Sequence, residues 1–146
     1  MDDERDDLQL EADGAGRIAA DVAHAAAEAG RILLVDIRTP QEWRSTGVPA
    51  AAALACLTTG PGDIRAEFVD EIERLAGGDK LRPVALVCRS GARSAFARRL
   101  LLARGFAAVF DVAEGMGGSS FGRGWLARGL PVEPWPREPA AGPPVT

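Results

Sequence analysis

The sequence predicts an α/β domain of three layers, a central, mostly parallel sheet with helices on both faces. Three observations carry that prediction. Runs 32–35, 83–87 and 107–110 are apolar throughout, as strands buried on both faces must be. Stretches with helical spacing or helix-ending glycines lie between them, and strand–helix alternation is the mark of parallel sheets. With 146 residues, 47% hydrophobic and 26% charged, the chain is long enough for one well-packed domain and too short for two.

The elements follow in order. Asp2, Asp3, Glu4, Asp6, Asp7 and Glu11 hold most of the excess behind a formal net charge of -4, so 1–15 is expected to be a solvated, disordered acidic tail. Residues 21–29 are good helix formers, and Gly30 is placed to end them. Ile32 to Val35 then runs into Asp36-Ile37-Arg38. Pro40, favoured at a first helical position, starts a short turn through Gln41, Glu42 and Trp43. Gly47 and Pro49 mark a loop, and alanines 50–53 lead to Leu54, a weak strand signal. Asp63 is placed to cap a helix to about Ala76, with Ile64, Phe68, Ile72 and Leu75 at helical spacing.

The strand at 83–87 ends on Cys88. A helix from about Gly91 to Arg104 sets Phe96, Leu100 and Ala103 on one face, and Gly105 closes it. After 107–110 come a glycine-rich loop (Gly115, Gly117, Gly118, Gly122, Gly124) and a short helix around Trp125, Leu126 and Ala127. The domain is expected to occupy 16–133, with 134–146 a proline-rich, flexible tail.

Composition excludes several classes. No stretch approaches the roughly 20 apolar residues that cross a bilayer, and the acidic start lacks the pattern of a signal peptide, so a cytoplasmic, non-membrane protein is expected. Cys56 and Cys88 are too few for a disulfide framework, and no CxxC pair occurs. His24 is the only histidine, which excludes a multi-histidine metal site; neither a metal nor an organic cofactor is expected. The arginines are dispersed and form no basic stripe, so no nucleic-acid partner is expected. Lys80 is the lone lysine, and with abundant alanine this suggests a GC-rich bacterial genome.

In parallel sheets ligands bind beyond the carboxyl ends of the strands, where Asp36, Cys88 and the loop after Phe110 fall. Cys88-Arg89-Ser90-Gly91-Ala92-Arg93-Ser94 joins a buried strand to a helix. Gly91 lets the backbone turn tightly, and successive N–H groups can then face one point, forming an anion nest backed by the helix N-terminus. A cysteine so placed ionises readily. Its thiolate is a nucleophile, and a persulfide would set its outer sulfur at the nest's centre, with Arg89 and Arg93 available to an anionic donor such as thiosulfate. An inert core cysteine gives no reason for the polar, basic run that follows it.

The chain resembles the single-domain rhodaneses over about residues 17 to 133. The likeness rests on Asp36-Ile-Arg38, Pro40-x-Glu42-Trp43, Val48-Pro49, the 88–94 loop, and Glu114-Gly115…Trp125…Gly129-Leu130-Pro131-Val132. The loop is the most specific of these. The resemblance implies a sulfurtransferase: Cys88 takes a sulfane sulfur from a small-molecule donor and passes the persulfide to a thiophilic acceptor such as cyanide, a thiol or a sulfur-carrier protein. It implies that residues 89–94 cradle the sulfur, and that Asp36 and Arg38 help hold the loop; a strand-end ion pair without catalytic part is the alternative for these two. The chain departs from the family at Gly47, where a histidine is usual, at Ala50, and at Met116, where a second glycine is usual.

Two rival readings remain open. A cysteine phosphatase or arsenate reductase on the same fold needs a longer loop to enclose a tetrahedral oxyanion, whereas four residues separate Cys88 from Arg93 here. A weakly catalytic or non-catalytic module that binds a partner or senses redox state is the other. Cys56 is read as a small core residue, Trp43 and Trp125 as packing with Trp125 the better stacking candidate, and His24 as a surface residue.

Overall fold

The structure, a computed structural model, describes residues 12–137. The acidic run up to Glu11 and the proline-rich end from 138 onward lie outside the described residues. The elements run α1 (Ala20–Glu28), β1 (Leu33–Asp36), α2 (Pro40–Thr46), β2 (Val48–Pro49), β3 (Ala53–Leu54), α3 (Phe68–Leu75), β4 (Val84–Val87), α4 (Ala92–Arg104), β5 (Val109–Asp111) and β6 (Val132–Glu133).

Strands β3-β1-β4-β5 lie side by side and pair in parallel throughout. Leu33 pairs with Val84 and Asp36 with Val87, so β1 and β4 are in register to their last residues. Because side chains alternate along a strand, one apolar run feeds two cores. Leu34, Ala85, Val87 and Phe110 face Ala20, Ala23 and Ala26 of α1, together with Trp125. Leu33, Val35, Val84, Leu86 and Cys88 face Phe68 and Ile72 of α3 and Ala97 and Leu101 of α4. Phe68 and Ile72 are 0% exposed, and burial of each contributes roughly 1.5–3 kcal/mol. The sheet is thus covered on both sides. The carboxyl ends of the adjacent strands β1, β4 and β5 bring Asp36, Cys88 and Asp111 to one edge.

Several elements differ from the sequence-based expectation. Helix α3 begins at Phe68, not Asp63, because Asp63 N–H donates to Thr59 Oγ1 and Arg65 N–H to the Leu57 carbonyl, closing a turn instead. Ile64 is consequently exposed. Helix α4 spans the expected residues, but its buried face carries Ser94, Ala97 and Leu101 rather than Phe96, Leu100 and Ala103. Small residues at 94 and 97 let the helix settle close on the sheet, and Phe96 is left in partial contact with solvent.

No helix forms at 125–127; the segment is a series of turns, tied by Trp125 N–H to the Gly115 carbonyl and Leu126 N–H to that of Met116. Val48–Pro49, expected in a loop, pairs antiparallel with Val132–Glu133. Gly47 precedes it at φ 78, and a Cβ there would stand 2.7 Å from the Glu133 carbonyl oxygen. Trp135 stacks edge-on against Trp43, and Arg137 donates to the Ala52 carbonyl at 2.7 Å. Trp125 is fully buried with its indole N–H on the Pro131 carbonyl, which removes it as a stacking surface for a substrate. His24, expected at the surface, is half-buried and meets the Trp125 ring edge-to-face at 5.6 Å.

Candidate active site

Strand β4 delivers Cys88 to the edge, and Gly91 turns the chain into α4 with φ 100, a conformation closed to ordinary side chains. A Cβ on Gly91 would also stand 2.5 Å from the Ala113 carbonyl oxygen. The turn brings the Gly91 N–H to 3.1 Å from Cys88 Sγ, and Ser94 Oγ to 3.3 Å from the same sulfur. Ala92, Arg93 and Ser94 open α4, where backbone N–H groups lack intrahelical acceptors and carry the positive end of the helix dipole.

The loop's carbonyls are held from behind. Met116 N–H donates to the Cys88 carbonyl at 2.9 Å and Gly117 N–H to that of Arg89 at 2.8 Å. A Cβ on Gly115 would collide with the Arg89 carbonyl, so this glycine permits the close approach. The glycine-rich segment therefore braces the cysteine loop, as expected of glycines that serve packing and turns. Glu114, buried beside it, accepts from the Ala20 and Gly124 N–H groups at 2.9 Å each and pairs with Arg128.

Two arginine–carboxylate pairs flank the loop. Arg38 and Asp36, 1% and 0% exposed at their side chains, form a buried pair at 2.8 Å. Arg38 also donates to Thr46 Oγ1 and the Gly47 carbonyl, and these bonds secure the end of α2. Arg93 instead reaches out of α4 to Glu42, with both guanidinium nitrogens on the carboxylate at 2.6 and 2.8 Å. That fork holds the Glu42 carboxyl down to about 2. Glu42 is itself fixed by a capping box with Thr39 at the start of α2.

Of the proposed cradle, Ser94 is buried, Gly91 and Arg93 are half-buried, and Arg89, Ser90 and Ala92 are exposed. Arg89 lines a cavity of about 320 Å³ with Arg38, Glu42, Thr46, Met116 and Leu126. Among the three departures from the family pattern, Met116 lies on this cavity wall. Cys56 is half-buried near Arg65, and burial pushes its thiol upward. Two contributors were missed in the sequence. Thr39-x-x-Glu42 is a readable capping box, and Asp111 ends a buried strand much as Asp36 does; neither pattern alone announces a partner across the fold.

A buried cysteine at the end of a parallel strand, its sulfur set against a helix N-terminus, defines a cysteine-loop α/β protein. The Rhodanese-like domain model matches residues 19–119, and the chain belongs to that family. It is 28% identical to Rv0390 from M. tuberculosis, whose crystal structure superposes with a TM-score of 0.61 over 76% of this chain and 90% of that one. The polysulfide-sulfur transferase homodimer from Wolinella succinogenes shares the fold at 23% identity, with a TM-score of 0.58 over 91% of this chain and 86% of that one. An uncharacterized Rickettsia conorii protein, RC0915, is 27% identical over 99 residues, 67% of this chain and 80% of the relative.

Proposed function

We propose that the protein is a sulfurtransferase that carries sulfane sulfur as a persulfide on Cys88. The observation that carries this reading is the Gly91 N–H at 3.1 Å from Cys88 Sγ, at the mouth of a helix N-terminus. Donors so placed stabilise a thiolate and, one bond further out, a terminal persulfide sulfur. With thiosulfate, the Cys88 thiolate attacks the sulfane sulfur, a new S–S bond forms, and the old S–S bond breaks to release sulfite. The persulfide anion then gives its outer sulfur to a thiophilic acceptor such as cyanide or a thiol, returning the thiolate.

The pairing of Arg93 with Glu42 supports different parts for the two flanking arginines. Arg93 ties the loop to α2, while Arg89, exposed on the cavity, is the one we assign to the anionic end of the donor. The same pairing argues against a phosphatase, in which the arginine must turn inward to close on a tetrahedral oxyanion. Arg38, held by Asp36, lines the cavity and fixes the end of α2. The exposed loop admits a sulfur-carrier protein as acceptor as readily as a small thiol. A cytoplasmic site of action accords with a free-thiol mechanism.

Intact-protein mass spectrometry after mixing with thiosulfate tests the proposal. Wild type gains the mass of one sulfur atom and loses it to cyanide with thiocyanate formed, while Cys88→Ser gains nothing. Failure of wild type to load from thiosulfate, polysulfide and a low-molecular-weight persulfide alike defeats it.

A further inference from the structure

Behind Cys88 stands a polar chain that sulfur transfer, as described so far, does not use. Ser94 Oγ lies 3.3 Å from Cys88 Sγ and 2.5 Å from Asp111 Oδ1. All three residues are buried, at 1%, 0% and 3% exposure. They come from three consecutive elements, the end of β4, the first turn of α4 and the end of β5, so the contact depends on the fold and is not local in sequence. A serine hydroxyl has one proton and spare lone pairs. Its one proton has two carboxyl or carbonyl acceptors in reach, the Gly91 carbonyl at 3.2 Å and the Asp111 carboxylate at 2.5 Å; given to the closer, charged carboxylate, it leaves the oxygen free to accept from the thiol.

We propose that Asp111 receives the Cys88 proton through the Ser94 hydroxyl. The proposal rests on Cys88 being the reacting group, and it deepens the sulfurtransferase reading by naming where the proton goes. The Sγ–H bond breaks and its proton passes to Ser94 Oγ. The proton originally on Ser94 moves to Asp111 Oδ1. What remains is a thiolate that accepts from Ser94 O–H and Gly91 N–H, beside a neutral carboxylic acid. No charge enters or leaves the interior, which is the physical gain: releasing the thiol proton to water beside an ionised Asp111 would leave two buried anions. Ser94 touches the reacting sulfur, and Asp111 acts through it as a positioning residue.

The surroundings of Asp111 suit this part. Burial raises its carboxyl; the Ser94 hydrogen bond, Arg98 and Arg17 pull it down, Asp13 pushes it up, and the outcome lies above the ordinary aspartate value. Arg98 of α4 spends its Nε on the Val109 carbonyl, and Arg17, which bridges to Asp111 through the backbone, spends its own on Asp13. Neither makes a described side-chain hydrogen bond to the Asp111 carboxylate. On the sulfur's side, Arg93 interacts electrostatically with Cys88 and is itself forked onto Glu42. In this arrangement the proton on Cys88 and the proton on Asp111 are one and the same, passed along the Ser94 hydroxyl.

Alkylation of the full-length protein by iodoacetamide, followed from about pH 5 to 10, tests this without needing any sulfur donor. Asp111→Asn keeps an acceptor for the Ser94 hydroxyl but cannot take a proton; Ser94→Ala breaks the chain at its middle. In both, Cys88 alkylation near pH 6 to 7 should fall at least roughly tenfold, and a two-step pH profile should become one step. Cys56→Ser in every background leaves Cys88 as the one alkylated thiol. A carboxylate that merely tied α4 to β5 would give the opposite sign: removing a buried negative charge near the sulfur would leave the rate unchanged or raise it, and that result overturns the proposal. Should Asp111→Asn fail to fold by circular dichroism, the Ser94→Ala profile decides alone, since a helix accepts alanine at that position. Failure of the sulfurtransferase reading shows in the mass experiment and leaves this alkylation profile intact.

Discussion

Cys88 and Cys56 both follow strands of the same parallel sheet at its carboxyl edge, yet their surroundings differ in almost every respect. Cys88 is buried, and its sulfur meets the Gly91 N–H and the Ser94 hydroxyl in front of a helix N-terminus. Cys56 is half-exposed, separated by turns from the next helix at Phe68, and apart from its own backbone N–H no described hydrogen bond reaches its sulfur. Burial pushes the Cys56 thiol upward, with Glu71 and Asp36 adding to the effect and Arg65 opposing it. The same atom at the same edge is thus made a candidate nucleophile in one place and an ordinary thiol in the other. The loop that follows, not the cysteine, makes the difference.

The sharpest way to break that contrast is to remove the turn. In Gly91→Ala the new Cβ meets the Ala113 carbonyl oxygen at 2.5 Å and the backbone must leave φ 100. Strain of that kind costs about 1–3 kcal/mol. Relieving it moves the N–H off Cys88 Sγ, and loss of one such donor typically slows chemistry by roughly a hundredfold. Sulfur loading should therefore fall by about that factor while urea denaturation reports a smaller, separate loss of stability. Loading at the wild-type rate would show that the Gly91 N–H is not what distinguishes the two cysteines.

A smaller effect concerns the rim. Glu42 titrates at about 2 because Arg93 grips it, against an ordinary value of 4.5. A depressed folded value means that the pair's contribution is fully present above the ordinary value and is lost as pH falls from 4.5 toward 2. Wild type should lose part of its stability across that window, and Glu42→Gln should flatten that part of the curve. At neutral pH the same change should cost under about 1 kcal/mol, since both side chains are partly exposed. Thermal melts at a series of pH values measure both. An unchanged slope below pH 4.5 in Glu42→Gln would show that the grip on the loop is not felt in the fold.

How far the sequence announced this arrangement follows from the range of the contacts involved. The buried strands were legible because a strand covered on both faces leaves a continuous apolar run, as at Leu33–Asp36 and Val84–Val87. The cysteine loop was legible because tight turns demand glycine and an anion nest demands a helix start, both written locally at 88–94. Period was readable in α4, but its phase was not: the choice between Ala97 and Phe96 as the inward residue depends on how closely the sheet approaches. The two-residue strands β2 and β6 carry no periodicity at all, and their pairing joins residues far apart in the chain. Likewise Arg93 was identified, but its partner Glu42 stands 51 positions away, and Asp111 stands 17 from Ser94. Position at a site was legible; the choice of partner across the fold was not.

The smallest effect sharpens the comparison from the other side. If the loop alone confers chemistry, Cys56→Ser should leave persulfide loading and its transfer to cyanide within about twofold of wild type, because surface substitutions away from special features change little. Stability should shift by no more than about 0.5 kcal/mol, since the position is half-exposed and no other described residue donates to its sulfur. Treatment with a mild oxidant provides the stricter comparison. A resolving cysteine would form a disulfide with oxidised Cys88 and protect it from over-oxidation, and Cys56→Ser would then lose recoverable activity faster than wild type. The raised Cys56 thiol makes a slow partner for such a reaction, because exchange runs through the thiolate. Equal recovery by thiols in the two proteins is therefore expected, and a protective effect of Cys56 would mean that the second cysteine takes part after all.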